Sequence, residues 1–230
     1  MSDQPAGDAP VRIRVQVNGP YLVSGGIPLT RRRPIISEHG EPLAWDALED
    51  FATTPTYSLC RCGGSANKPF CDGTHATNGF DGAETAPTDP YDERQRTYVG
   101  TRVVMRDDRS ICEHAGFCGN RVTNVWNMMK GSDTEDSLAR AQVMRMVEQC
   151  PSGALTYRLE PDGPDVEPEW RTAVGVVEGG PLFVTGRVAV ERSDGQPLET
   201  RNRTTLCRCG GSAIKPLCDG SHQTNGFTDT

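Results

Sequence analysis

The sequence predicts a β-rich, loop-rich α+β protein in which two copies of one small unit flank a different middle module. Three observations support this prediction. Residues 60–80 and 207–227 are the same at all but four of their 21 aligned positions, so the chain contains an internal repeat. With 25 glycines, 17 prolines and 35% hydrophobic residues, the chain favours short strands and turns over a large core. The stretch between the copies has a helical pattern of its own.

The repeat extends upstream of the near-identical stretches. Pro20–Ile27 aligns with Pro181–Val188, and Gly40–Leu43 aligns with Gly195–Leu198. The offset between the copies falls from 161 to 155 and then to 147, so the first copy carries insertions of six and eight residues. We therefore predict equivalent domains, one at residues 11–80 and one at residues 172–227.

Strands are predicted in both copies. Val11–Val17 and Arg187–Val190 alternate or cluster β-branched residues, as strands do. The second insertion in the first copy covers roughly residues 44–57, and within it Trp45–Phe51 predicts a short helix. Acidic segments rich in Pro and Gly, at Asp81–Glu93 and Glu160–Glu169, predict linkers on either side of the middle module.

The middle module is predicted at residues 96–158, with α+β structure. Tyr98–Met105 predicts one strand and Leu155–Arg158 a closing strand. Ser132 and Glu135 have the spacing of a capping box for a helix that runs through Gln149. The predicted core face of this helix consists of Leu138, Ala141, Met144 and Val147.

Composition and charge exclude several classes of protein. The net charge of -7 disfavours nucleic acid or an anionic membrane as a partner, because both require a basic surface. No apolar run approaches the roughly 20 residues that span a bilayer, and residues 1–10 lack the apolar region of a secretory signal. We therefore expect a cytoplasmic protein whose cysteines bind metal and do not form disulfides.

Nine cysteines fall into three sets of three. An odd number fits a disulfide framework poorly, whereas three equal sets leave no thiol unassigned. Each copy has the frame C-x-C-x8-C-x3-H, and the remaining three cysteines lie in the middle module. The two predicted ligand sets are Cys60, Cys62, Cys71 and His75, and Cys207, Cys209, Cys218 and His222.

The spacing of this frame suits two metal atoms. Residues two apart in an extended chain point the same way, so Cys60 and Cys62 can bind one iron. If a helical turn begins near Asp72, with Asp72 as its N-cap, Cys71 and His75 share one face and can bind the second iron.

These residues resemble the signature of the CDGSH iron-sulfur domain, or NEET, proteins. The resemblance lies in Cys71–His75 and Cys218–His222, in the upstream Cys-x-Cys and in nearby Ser and Pro residues; Thr74 departs from the signature. It implies one 2Fe-2S cluster per copy, bound by three cysteines and one histidine. Members usually dimerise through a strand-exchanged β-cap, so two copies in one chain imply a monomer that forms an intramolecular pseudo-dimer. Structural zinc remains an alternative, although its paired cysteines usually lie two to four residues apart.

The middle cysteines resemble a ferredoxin motif with one cysteine missing. Cys112, Cys118 and the Cys150-Pro151 pair fit a single-cluster bacterial-type ferredoxin, but Ala115 stands where the second cysteine belongs. Three thiolates can bind a 3Fe-4S cluster, and His114 is close enough in sequence to substitute as a ligand. A ferredoxin-like shape without a cluster is the alternative.

These features predict an iron-sulfur protein for one-electron transfer, with a redox partner protein. A second hypothesis is storage or delivery of iron or clusters to an apo-protein acceptor, and a third is a structural zinc scaffold. We expect no enzymatic activity, because the sequence has no P-loop, no G-x-S-x-G and no convincing acid-base pair.

Overall fold

The computed structural model describes residues 10–130 and 133–229. None of the helices in these residues is long and apolar enough to cross a membrane. The helices are α1 (Tyr91–Arg94), α2 (Val125–Met128) and α3 (Ser137–Glu148), with short 3-10 turns at Thr74–Ala76, Arg109–Ile111, Asp133–Glu135 and Ser221–Gln223. The strands are β1 (Arg12–Val15), β2 (Tyr21–Ser24), β3 (Leu29–Ile36), β4 (Pro42–Asp50), β5 (Thr56–Leu59), β6 (Arg96–Gly100), β7 (Val103–Asp107), β8 (Leu155–Arg158), β9 (Ala173–Val177), β10 (Leu182–Thr185), β11 (Ala189–Glu191) and β12 (Arg203–Leu206).

The two copies exchange strands. One sheet has the order β11-β1-β2-β5 and another has the order β12-β10-β9-β3-β4. β11 of the second copy pairs in parallel with β1 of the first, and β3 of the first copy pairs in parallel with β9 of the second. The sheet of the first copy thus takes one strand, β11, from the second, and the sheet of the second copy takes the hairpin β3-β4 from the first, which confirms the predicted pseudo-dimer. The shared core includes Ile13, Leu29, Val174 and Leu206, all with 0% or 1% exposure.

The helix predicted at Trp45–Phe51 is wrong, because this stretch belongs to β4. The strand pairs antiparallel with β3 from Thr30 opposite Asp50 to Ile36 opposite Pro42. The insertion in the first copy lengthens this hairpin, and pairing along a neighbouring strand outweighs a weak local helical preference. The Trp45 ring lies 4.8 Å from Phe117 of the middle module, so the hairpin also packs against that module.

The middle module has its own sheet, in the order β6-β7-β8. The single strand predicted at Tyr98–Met105 is in fact a hairpin of β6 and β7, which turns at Thr101 and Arg102. Arg102 has a φ of 55°, a conformation typical of tight turns. The closing strand predicted at Leu155–Arg158 is confirmed as β8.

The helix of the middle module begins later than predicted. Asp136 is the N-cap of α3 and accepts hydrogen bonds from the N–H groups of Leu138 and Ala139. Of the predicted capping box, Ser132 lies outside the described residues and Glu135 belongs to the preceding 3-10 turn.

The predicted core face of α3 is wrong at its first two positions. Leu138 is 77% exposed and Ala141 is also exposed, whereas Val143, Met146 and Val147 are buried. Because the helix starts at Ser137, Leu138 lies in its first turn, where no residue is buried. The buried end of α3 leads directly to Cys150.

The first predicted linker, Asp81–Glu93, packs closely against the second copy. The N–H groups of Thr85 and Ala86 both donate to the carbonyl oxygen of Lys215, at 2.8 and 3.0 Å. Glu84 is buried beside Arg192, with 3.8 Å between their charged groups. The segment is therefore a docked connection and not a free tether.

Candidate metal centres

In the first copy, the predicted ligands form two close pairs. Cys60 follows β5, and extended backbone brings the sulfurs of Cys60 and Cys62 to 3.8 Å from each other. The 3-10 turn Thr74–Ala76 places Nδ1 of His75 3.4 Å from the sulfur of Cys71. The structure therefore brings the ligands together in the pairs that the spacing predicts.

The second copy repeats this geometry. The sulfurs of Cys207 and Cys209 are 3.7 Å apart, and Nδ1 of His222 is 3.4 Å from the sulfur of Cys218. Two sulfur ligands on a tetrahedral metal with bonds of about 2.3 Å lie about 3.8 Å apart, and a sulfur and a nitrogen lie about 3.5 Å apart. Each pair can therefore bind one metal atom. Among the described residues, no group of three or more Cys, His, Asp or Glu side chains surrounds a single metal-ion position.

The aspartate of each motif connects the two halves of its site. Asp72 accepts from Ala66 N at 2.8 Å and from Thr74 N at 3.0 Å. The prediction that Asp72 is the N-cap of this turn is wrong, because Gly73, with a φ of 92°, occupies that position. Asp219 makes the equivalent bonds in the second copy, to Ala213 N and Ser221 N. These bonds hold the Cys-x-Cys loop against the histidine turn.

Backbone N–H groups point at the sulfurs. Gly64 N lies 3.4 Å from the sulfur of Cys62, and Gly73 N lies 3.4 Å from the sulfur of Cys71. In the second copy, Gly211 N lies 3.4 Å from the sulfur of Cys209, and Gly220 N lies 3.4 Å from the sulfur of Cys218. Such donors stabilise negative charge on thiolate ligands.

Sequence reasoning missed the arginine between the paired cysteines. Arg61 and Arg208 are each 1% exposed. Arg61 donates to Gln16 O at 3.3 Å, and Arg208 donates to the equivalent carbonyl of Val177 at 2.5 Å. Arg208 also forms an ion pair with Asp229. The signal was present, because both copies have Arg at the same position.

The two sites touch each other across the pseudo-two-fold axis. Cys62 and Cys209 form an antiparallel β-bridge. A Cβ at Gly63 would lie 2.6 Å from Cys209 O, and a Cβ at Gly210 would lie 2.7 Å from Cys62 O, so glycine is required at both positions.

The thiols of the second copy have strongly shifted pKa values. A hydrogen bond between Cys207 and Cys209 raises the pKa of Cys207 and lowers that of Cys209. Burial raises the pKa of Cys218 in the second copy and of Cys60 in the first. Because a metal binds the thiolate form, loading these sites must release protons.

The three middle cysteines surround one cavity of about 140 Å³. Burial raises the pKa of Cys118 to about 11, and the neighbouring Cys150 and Cys112 contribute further. His114 also borders the cavity and donates its backbone N–H to the sulfur of Cys112 at 3.4 Å. A residue missed from the sequence is Asp107, a buried carboxylate on the cavity wall that accepts from Trp126 Nε1 at 2.9 Å.

Comparisons with known families match most of the chain. The family described as "Iron-binding zinc finger CDGSH type" matches residues 18–76 and 179–223, and the family described as "Divergent 4Fe-4S mono-cluster" matches residues 98–160. Two relatives carry the name "Uncharacterized protein YjdI", from Escherichia coli K12 and O157:H7. Each is 33% identical over 64 residues, which are 27% of this chain and 84% of the relative. No solved structure matches significantly.

Proposed function

The chain belongs to the CDGSH iron-sulfur family, with two CDGSH segments around a divergent 4Fe-4S segment, and on that premise we propose that it is a one-electron carrier. In this proposal each CDGSH segment binds a 2Fe-2S cluster. When bound, such a cluster accepts and returns one electron. The observation that carries the proposal is the arrangement of each ligand set as two pairs.

The pairs fit a two-iron cluster better than structural zinc. A structural zinc ion takes four ligands around one position. Here Cys60 and Cys62 would hold one iron, and Cys71 and His75 the other, with sulfur–sulfur and sulfur–nitrogen separations of 3.8 and 3.4 Å. The second copy has separations of 3.7 and 3.4 Å and would hold its cluster in the same way.

The residues around each site favour the reduced state. A neutral imidazole in place of a thiolate removes one negative charge from the ligand set, the change that raises the potential of Rieske centres. The glycine N–H groups that point at the sulfurs act in the same direction.

We propose a third cluster at Cys112, Cys118 and Cys150, because all three border one cavity. Three thiolates complete the protein ligands of a 3Fe-4S cluster, whereas the matching family's description names a 4Fe-4S cluster. A 4Fe-4S cluster would require one further ligand, and His114 and Asp107 also border the cavity.

Cluster delivery is a second candidate function. It is favoured by the partial exposure of Cys71 and His75, the histidine-ligated half of the first site. An acceptor apo-protein can reach this partly exposed half of the site more readily than it could reach a fully buried half. Under either function, we propose that the partner is another protein, that the chain has no enzymatic activity and that it acts as a cytoplasmic monomer.

Iron and acid-labile sulfide quantitation with electron paramagnetic resonance tests the cluster assignment. About four irons per chain indicate two 2Fe-2S clusters, and about seven or eight indicate a third cluster with three or four irons. A colourless protein that contains zinc and no sulfide would overturn the proposal. Mixing with an apo-ferredoxin then separates the two functions, since reduction without cluster movement supports electron transfer and quantitative movement supports delivery.

A further inference from the structure

The middle module covers one of the two CDGSH sites and not the other. Gly73 and Gly220 hold the same position in their motifs and have nearly the same φ, 92° and 86°. A Cβ at Gly220 would lie 2.7 Å from Glu113 O, whereas a Cβ at Gly73 would have no neighbour within 4 Å. The difference in free space around the two glycines therefore comes from Glu113 of the middle module, which lies over Gly220 only.

A second contact between the middle module and the second copy involves a residue that differs between the copies. Gln223 Nε2 donates to His114 O at 3.3 Å. The first copy has Ala76 at this position, one of the four differences between the two repeats. We call Glu113 and His114, which make both contacts, the cap.

Burial of the two sites follows this contact. Cys218 is 1% exposed and Gly220 is buried, whereas Cys71 is half-buried and Gly73 is exposed. Asp219 is partly buried beneath the cap, and Asp72 is exposed. Glu113 is itself 3% exposed, whereas His114 is exposed, so the Glu113 half of the cap is the part that is buried.

We propose that the cap shields the second CDGSH site, so that the first site is the one that external iron-binding molecules and partner proteins reach. The two sites, which the repeat alone predicts to be equivalent, then differ in how firmly they retain iron. This inference rests on the proposed function, since it assumes a cluster in each copy. Its physical basis is that the cap buries Cys218 and Gly220, so its contact must open before a chelator reaches the second site from the Cys218 side, although His222 is half-buried like His75.

The first experiment challenges the fully loaded protein with excess chelator at constant neutral pH and follows the visible absorption. We expect two phases of loss from the CDGSH sites, with rates at least about tenfold apart. His75→Cys should slow only the fast phase, because a thiolate binds iron more firmly than an imidazole, and His222→Cys should slow only the slow phase. A single rate for both sites, or the opposite assignment, would overturn the proposal.

A second experiment opens the cap and leaves all ligands in place. Gln223→Ala removes one hydrogen bond and should accelerate the slow phase about fivefold, the effect of one net hydrogen bond. Gly220→Ala should accelerate the slow phase more than its matched control Gly73→Ala accelerates the fast phase. Both substitutions strain a positive-φ position, and only Gly220→Ala collides with Glu113 O.

Equal effects of the two glycine substitutions, together with no effect of Gln223→Ala, would show that the cap does not protect the site. Failure of the proposed function gives a different result. A protein without clusters has no visible absorption before the chelator is added, whereas failure of the cap proposal leaves the absorption intact and equalises the two rates.

Discussion

Tyr21 of the first copy supports the cluster loop of the second copy, and its removal should weaken that site specifically. Its hydroxyl lies 2.7 Å from Cys207 O and 3.0 Å from Pro216 O, with the side chain at 0% exposure. Burial raises the pKa of Tyr21 well above its usual value, so the hydroxyl keeps the proton that it donates. The equivalent residue in the second copy is Leu182, so the first site lacks this support.

The substitution Tyr21→Phe removes the hydroxyl and keeps the ring. The two carbonyls lose a donor at a buried position, which costs about 1–2 kcal/mol of unfolding free energy. For a chain of this size, about 1 kcal/mol lowers Tm by about 2–4 °C, so we expect a decrease of about 2–8 °C.

Tyr57→Phe is the matched control. Tyr57 is 7% exposed, and its hydroxyl donates to Ile27 O at 2.8 Å, within the first copy. Both substitutions should lower Tm of the loaded protein in differential scanning calorimetry. Only Tyr21→Phe should also accelerate iron loss from the second site, the phase that His222→Cys slows. The reasoning is refuted if Tyr21→Phe leaves both Tm and that phase unchanged, or if Tyr57→Phe accelerates the same phase.

Three further predictions concern the midpoint potential of the first site, the buried Arg203 and the motif aspartates. His75→Cys adds a negative charge to the first site and should lower its midpoint potential by about 100 mV or more in a potentiometric titration; an unchanged midpoint would contradict the charge argument. Arg203→Met removes the buried donor to the carbonyl oxygens of Val147 and Cys150, so the middle site should lose iron selectively. Arg33→Met, which changes an exposed arginine, is the control. Asp219→Ala and Asp72→Ala should each destabilise only their own site, by about 1–2 kcal/mol, because each aspartate bonds only within its own motif. The rate of iron loss to a chelator, measured for each site, tests this, and faster loss at both sites from one substitution would contradict it.

The predicted ligand pairs were accessible from the sequence because they depend on short stretches of chain. A spacing of two in extended backbone and of four around a turn brings Cys60 to Cys62 and Cys71 to His75 almost independently of the rest of the fold. The repeat also predicted a pseudo-dimer, through the family resemblance. Weaker local patterns failed, as at Trp45–Phe51, where pairing with β3 made a strand.

The sequence by itself determined the chemistry of this protein: two identical ligand frames, a third set of cysteines and the family to which they belong. Only the tertiary structure decided that β3 and β11 cross between the copies and that Glu113 lies over Gly220 while Gly73 is left open. The reason is that these contacts join residues more than a hundred positions apart. Their formation depends on how whole units pack, which no local spacing specifies.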